Sequence, residues 1–534
     1  MRFPVTFLSI FIMLFCPINM EAKKKAKKTV VPQMINFPST DINNLRISGG
    51  DVMLRGSISM PTVGNELKEQ AAGLKKLSSL LNSIGPRVEV IDPITKKTDV
   101  FAITFNDDCT FNTKIHIPHP MFVALLPFCN LYMCPGDTVD FVLDGMIKTN
   151  KKGFNIGGTG LSGEINRVIT SVDKAYCNNY SSYDIKDAKQ IDSLMTWRNV
   201  QIGRMDSMVA KINRGLPELK GCSPLASDIV LTHILAWHLQ MIASPYFIVL
   251  RDISSDQALW RNYFDFLSPR EKYLLDNPLL MVSADMFFFN RLEYTAFRPL
   301  TQKKMSIMSH RKKTFVFGDS LQSLHTAIAK GLQQINDELH LSSNDFTSQV
   351  CMIRDVFSSF QCGIFDNEEI KAEAIASVAP YITNQELLRL AILGYHDYIK
   401  EDQQSCIDNK PASKGDSLFQ RIIEPYKGNV LYVDFWSMSC GPCRAGMLDM
   451  RDEVEANKDK PVKYLYITYD TEEHCRSFLE PNNIKGEHIF ISRSEWAHLQ
   501  EKFNFSGIPF VVHVDRQGKI RREPNINVKE LLAE

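Results

Sequence analysis

The sequence predicts a multidomain protein with a C-terminal α/β domain, preceded by a small antiparallel β domain and a mainly helical region. Three observations carry this reading. At 534 residues the chain exceeds what one hydrophobic core usually serves. Its apolar pattern alternates every second residue up to about residue 155, then repeats every three to four. Beyond residue 416, strand and helix patterns alternate. The apolar fraction of 44% and charged fraction of 23% are ordinary for a globular chain. Lys plus Arg, 61, equals Asp plus Glu, 61, which argues against a protein built around polyanion binding.

The elements follow in chain order. Arg2 precedes the apolar run "FPVTFLSIFIMLFCPI" and then "NMEAKKKAKK". Residues 1–22 read as a secretory signal peptide cleaved after Ala22, with an uncleaved membrane anchor as the alternative. Phe15 before Cys16 is too bulky for lipoprotein processing, so lipidation is set aside. Residues 23–44 form a basic flexible tail that can touch anionic lipid. No later segment reaches the roughly 18 apolar residues that cross a bilayer. Of twelve cysteines, Cys16 lies in the leader, leaving eleven. That is too sparse for a disulfide scaffold, and Cys109, Cys177, Cys222 and Cys351 read as small buried apolar residues.

Residues 45–155 read as the antiparallel β domain. "DVMLRGSISM" alternates Val52, Leu54, Gly56, Ile58 and Met60 with polar neighbours, and "VFAITFNDDCTFNTKIHIP" holds two runs around Asn106-Asp107-Asp108, which is hairpin chemistry. "PGDTVDFVLDG" adds a Pro-Gly turn and another run. His116 and His119 read as surface histidines. Gly158, Gly160 and Gly163 fit a dinucleotide fingerprint, but antiparallel strands precede them, so a turn is the reading and nucleotide binding is declined.

Residues 160–412 read as mainly helical. Ile165, Val168, Ile169 and Val172 share one helical face, and Ser268-Pro269-Arg270-Glu271 has the form of a capping box. "SDIVLTHILAWHLQMIA" and "NQELLRLAILGYHDYIK" are further helical stretches. The polar segment 403–416, with Pro411 and Gly415, reads as a linker. Residues 417–534 then run strand "NVLYVDFWS", helix, strand "VKYLYITYD", helix, strand "HIFIS", helix "SEWAHLQEKF", and a closing hairpin with a short final helix.

Within this last domain, "DFWSMSCGPCRAGM" separates Cys440 and Cys443 by two residues. A zinc site needs about four ligands, and the adjacent pair His474 and Cys475 is poor evidence for closing a tetrahedron, so no metal is expected there. A permanent staple across two residues closes almost no loop and would stabilise little. A redox pair fits better. It sits between a buried strand and a helix N-terminus, whose free N–H groups and positive dipole end favour the reactive thiolate.

The segments "VLYVDFWSMSCGPCRAGM" and "GIPFVVHVDRQGKI" resemble the thioredoxin superfamily, specifically its exported TlpA/ResA-like branch. The resemblance implies a thioredoxin-like fold over about 418–534 and a protein thiol–disulfide oxidoreductase with no cofactor beyond its own Cys440–Cys443 disulfide. Cys440 would attack, Cys443 would resolve, and Asp434 would exchange a proton with Cys443. Trp436, Gly441, Pro442, Ile508 and Pro509 would contact the substrate, with Pro509 in a cis-proline loop. Gly441-Pro442 is the dipeptide of reducing members. The partners implied are protein disulfides and a membrane electron donor, with no nucleic acid or nucleotide, in the periplasm or cell envelope. Ser439 stands where tryptophan is usual. Gly446 and Leu448 replace a glutamate and a proline common in that branch, which removes one acid/base group.

Upstream, "NDDCTFNTKIHIPHPMFVAL", "CPGDTVDFVLDG" and "IGGTGLSGEINRVI" resemble the β domain of long TlpA-like proteins of the Bacteroidetes group. Three readings of function remain open: a reductase, an oxidase or isomerase using the same residues, and a binding or scaffold protein with a redox-sensitive appendage. Peroxiredoxin chemistry would need a threonine- and proline-bearing loop before the cysteine, which "WSMSC" lacks.

Overall fold

The structure is a computed structural model that describes residues 47–59, 67–144, 153–177, 191–249, 257–294, 321–342, 344–361, 368–404, 413–521 and 528–533. The expected signal peptide and basic tail lie outside the described residues. Those described divide into two compact units. One comprises residues between Val168 and Phe317 and between Ala327 and Ser348; the other comprises those between Leu45 and Arg167, Gly318 and Thr326, and Gln349 and Glu534.

In the second unit, the N-terminal part is a sandwich of two four-stranded sheets. The strands are β1 (Gly50–Ser59), β2 (Arg87–Ile91), β3 (Thr98–Ala102), β4 (Phe111–Ile117), β5 (Met121–Leu126), β6 (Cys129–Met133), β7 (Thr138–Asp144) and β8 (Phe154–Gly158). Their orders are β4-β1-β7-β8 and β3-β2-β5-β6. Val52, Leu54, Ile115, Ile117, Val139 and Phe141 of one sheet meet Val88, Val90, Val123, Leu125 and Leu131 of the other. Period-2 patterning therefore becomes a shared core.

Besides the turn at Asn106-Asp107-Asp108, which joins β3 and β4 of different sheets rather than closing the expected hairpin, three features depart from the sequence reading of this region. β1 and β7 pair in parallel, where antiparallel strands are predicted. Alternation fixes which face is buried but not direction, and the long connection between these two strands permits the parallel choice that a hairpin forbids. Second, α1 (Leu67–Ser83) is a helix amid the strands. Ser78 and Asn82 donate from it to the Phe105 carbonyl at 3.0 and 2.9 Å, and Leu81 packs on the sandwich core. Third, His119 is fully buried, beside Asp92 and the Pro120 carbonyl, while His116 is exposed and paired with Asp51. The glycine fingerprint is a turn: Gly160, at φ +53°, leaves room for the Asp137 carboxylate, which accepts the Ser162 N–H at 2.9 Å at the start of α2 (Gly160–Val172).

The first unit is helical: α3 (Ile191–Arg214), α4 (Pro224–Val249), α5 (Gln257–Phe264), α6 (Glu271–Leu274), α7 (Leu280–Ser283), α8 (Met286–Tyr294) and most of α9 (Leu321–Glu338). α4 packs against α3, α6, α7 and α8. Its Pro224–Ser244 stretch, with a mean hydropathy of 1.3, is long and apolar enough to cross a membrane, contrary to the sequence expectation. Here 61% of it is buried, as befits a core helix that is apolar all round. The expected capping box at Ser268 does not form. Its hydroxyl donates to the His340 carbonyl, and a 3₁₀ turn runs through Asp265–Arg270.

The expected helical region is thus split. α10 (Phe346–Gln361), α11 (Glu368–Val378) and α12 (Gln385–Gln404) lie mainly in the second unit. There Arg354 donates to the Pro93 carbonyl, Lys96 donates to Ser358 at 2.7 Å, and Arg389 donates to the Ile47 carbonyl.

The C-terminal domain starts at Ser413, which caps α13 (Lys414–Ile423) in a capping box with Asp416. Its five-stranded sheet has the order β11-β10-β9-β12-β13, formed by β9 (Val430–Phe435), β10 (Val462–Thr468), β11 (Glu487–Phe490), β12 (Phe510–Val514) and β13 (Ile520–Arg521). β9, β10 and β11 are parallel, and the β12–β13 hairpin is antiparallel to β9. α13 and α16 (Arg493–Phe503) cover one face around Phe419, Phe435, Trp496 and Phe503. α14 (Gly441–Ala456), α15 (Glu472–Leu479) and α17 (Val528–Ala533) cover the other.

The β sandwich joins this domain on the α16 side. Asn504 takes the left-handed cap of α16, accepts the Val100 N–H at 2.9 Å and donates to Asp99 at 2.8 Å. Those partners belong to the sheet-edge strand β3, so the contact closes an edge. Gly85 packs so closely on the Arg493 carbonyl that a Cβ there would lie 2.3 Å from its oxygen.

Candidate active site

β9 sets the site's geometry. Leu431, Val433 and Phe435 point to the α13/α16 face, while Val430 and Trp436 join the core beneath α14. The two-residue period therefore puts Asp434 on the same face as Cys440 and Cys443.

Cys440 is the N-cap of α14, and Cys443 lies one turn in. They are bonded to each other, with Cα atoms 5.3 Å apart. The Cys443 N–H donates to the Cys440 sulfur at 3.1 Å, so a helix N-terminal amide faces the atom that would carry thiolate charge. Cys440 is 9% exposed and Cys443 1%, so Cys440 is the more accessible though still largely covered. Gly441 and Pro442 between them are exposed.

Asp434 is 5% exposed, and its Oδ1 has no hydrogen-bond partner. Burial pushes its carboxyl up to about 7. Beside it, burial chiefly, with the Asp434 charge adding, raises the Tyr432 and Tyr466 hydroxyls. Trp436 is fully buried against Phe478, with its indole N–H unpartnered. The Ile508–Pro509 peptide is cis; Ile508 packs against both cores and Pro509 is exposed. The loop order therefore brings Cys440, Cys443, Asp434, Trp436 and Ile508 to one core, with Gly441, Pro442 and Pro509 at the surface.

Asp470 escapes the sequence reading, and Cys475 is weighed there only as a metal ligand. Asp470, just past the end of β10, accepts the Met438 N–H at 2.7 Å and holds the loop before Cys440. A carboxylate at the C-terminal end of the strand beside β9 was the available signal. Cys475 is fully buried in the same core, and burial, then the Asp470 charge, pushes its thiol up to about 11. That is an inert structural thiol.

Residues 419–532 match the model of the AhpC/TSA family. The C-terminal domain has a thioredoxin-like fold. Solved structures similar to this thioredoxin-like domain include the thioredoxin domain of a thiol-disulfide oxidoreductase from Bacteroides vulgatus, at 23% identity over 21% of this chain and 79% of that one, TM-score 0.19. A thiol:disulfide interchange protein from Chlorobium tepidum is 17% identical over 21% and 84% of the two chains, TM-score 0.19. StoA from Bacillus subtilis is 17% identical over 18% and 75%, TM-score 0.17. No curated protein matches the chain.

Proposed function

We propose that the thioredoxin-like domain catalyses thiol–disulfide exchange on protein disulfides, running as a reductase in the cell envelope. The observation that carries the reading is the Cys440–Cys443 disulfide at the N-terminus of α14, with buried Asp434 on the same sheet face. In the dithiol form the Cys440 thiolate attacks a substrate disulfide, giving a mixed disulfide and one substrate thiolate. Cys443, its proton passed to Asp434, then attacks the Cys440 sulfur and releases the second substrate thiolate. Two electrons pass to the substrate, and the resulting 440–443 disulfide is the state described here. A dithiol donor in the membrane would return it to the reduced form. The leader-like residues 1–22 support export.

Peroxide reduction is the second reading, favoured by the AhpC/TSA match. The loop Ser437-Met438-Ser439 before Cys440, without threonine or proline, supports disulfide exchange instead. Titrating the 440–443 couple of the purified full chain in glutathione or dithiothreitol buffers tests direction. A value near the roughly −270 mV of thioredoxin supports a reductase, and one near the roughly −120 mV of DsbA reverses the direction. Absence of a reversible two-electron couple, or peroxide turnover without disulfide reduction, overturns the proposal.

A further inference from the structure

The helical unit contains a second cluster of nucleophilic groups, unrelated to the redox pair. After α2 the chain makes a single π-helical turn, Asp173–Cys177, whose first and last residues face His233 of α4. One ligand atom from each of Asp173, Cys177 and His233 lies within 4.8 Å of the other two. Isolated π turns are rare and often mark functional sites. Cys177, which the sequence assigns to apolar packing, is indeed buried, but beside a carboxylate and an imidazole.

We infer that Asp173, Cys177 and His233 bind a divalent transition-metal ion of the zinc type, leaving one coordination position for water. Two independent features point there. The first is geometry: ligand atoms about 2.0 Å from zinc at a tetrahedral angle stand about 3.3 Å apart. His233 Nε2 and Asp173 Oδ1 are 3.2 Å apart. The second is orientation. His233 Nδ1 faces the Ser283 carbonyl at 3.4 Å, the outer partner that fixes a ligating histidine's tautomer and aims Nε2 at the ion.

The mixed N, S and O donors suit zinc and exclude calcium and magnesium, which want oxygen alone. Among the described residues no fourth carboxylate, thiol or imidazole joins the group.

The test uses the full chain carrying Cys440→Ser and Cys443→Ser, so that the redox dithiol cannot chelate. Cobalt(II) is added to this metal-free protein and then displaced by zinc. The expected result is tetrahedral cobalt absorption with a thiolate charge-transfer band and one ion per chain. Adding Cys177→Ser or His233→Gln should lower zinc affinity on the order of 100-fold or more. If those variants fail to fold, the cobalt spectrum of the parent still decides. No thiolate–cobalt band in the parent overturns the inference, as does a band that persists in folded Cys177→Ser.

Discussion

Replacing Asp434 with Asn separates two consequences of its burial. The carboxyl is pushed up to about 7 from the ordinary 3.8, with desolvation as the cause. A gap of roughly 3 units corresponds to about 4 kcal/mol at 1.36 kcal/mol each. Between about pH 4 and pH 7 the folded chain keeps a proton that the unfolded chain has lost. Stability from this group is therefore fully present below about pH 4, falls as pH rises through 7, and is flat above. Asparagine cannot ionise. The variant should match the wild type near pH 4 and exceed it by up to about 4 kcal/mol near pH 8. The readout is the urea midpoint of the domain, followed by alkylation of buried Cys475. Comparing both proteins at each pH cancels the thiol's own pH dependence. A stability difference that does not change between pH 4 and pH 8 would refute the buried, protonated carboxyl. The same variant should slow resolution by Cys443 by about 100-fold or more while sparing attack by Cys440, since only the former uses the proton acceptor.

The remaining predictions are shorter. Cys443→Ser should accumulate a mixed disulfide between Cys440 and substrate, visible on non-reducing gels, and Cys440→Ser should form none. Cys475→Ala should cost about 1 kcal/mol in a urea titration followed by circular dichroism and leave the 440–443 potential unchanged, because its thiol, at about 11, is protonated at neutral pH. Asn504→Gly keeps the left-handed cap but removes the bonds to Val100 and Asp99. It should weaken docking of the β sandwich by about 1–3 kcal/mol, seen as faster amide exchange over residues 98–102. Unchanged protection there would show that the two bonds carry no docking energy.

The C-terminal domain was the most legible part because its elements differ in period. "NVLYVDFWS" is apolar on both faces and becomes the central strand β9, while the cysteines fall at the strand-to-helix junction. What alternation cannot encode is direction or partner. The β1–β7 parallel pair and the burial of His119 depend on chain segments far away. α1 hides because few apolar residues mark its face: Leu74, Leu77 and Leu81, with Ser78 and Asn82 bonding between them. The Asp173–Cys177–His233 cluster was invisible for the same reason, since no short motif joins a π turn to a residue on α4. Local signals mislead as well. Ser268-Pro269 has a capping box's letters, but its hydroxyl is taken by the distant His340 carbonyl.

The sidedness of the sheet bears on whether the upstream domains govern the redox pair. The β sandwich reaches the thioredoxin-like domain through Asn504, the Arg493 carbonyl and Lys414, all on or beside α13 and α16. The disulfide lies across the sheet under α14, with Gly441, Pro442 and Pro509 exposed around it. A sandwich seated on that side leaves the sulfur chemistry open. For a redox-sensitive appendage, opening the disulfide must alter the sandwich contact on the other side of the sheet. Loosening the contact with Asn504→Gly should then shift the 440–443 potential by linkage, since coupling free energies are reciprocal. For an autonomous oxidoreductase the potential should not move. That single comparison separates an enzyme carrying a β sandwich from a scaffold carrying a switch.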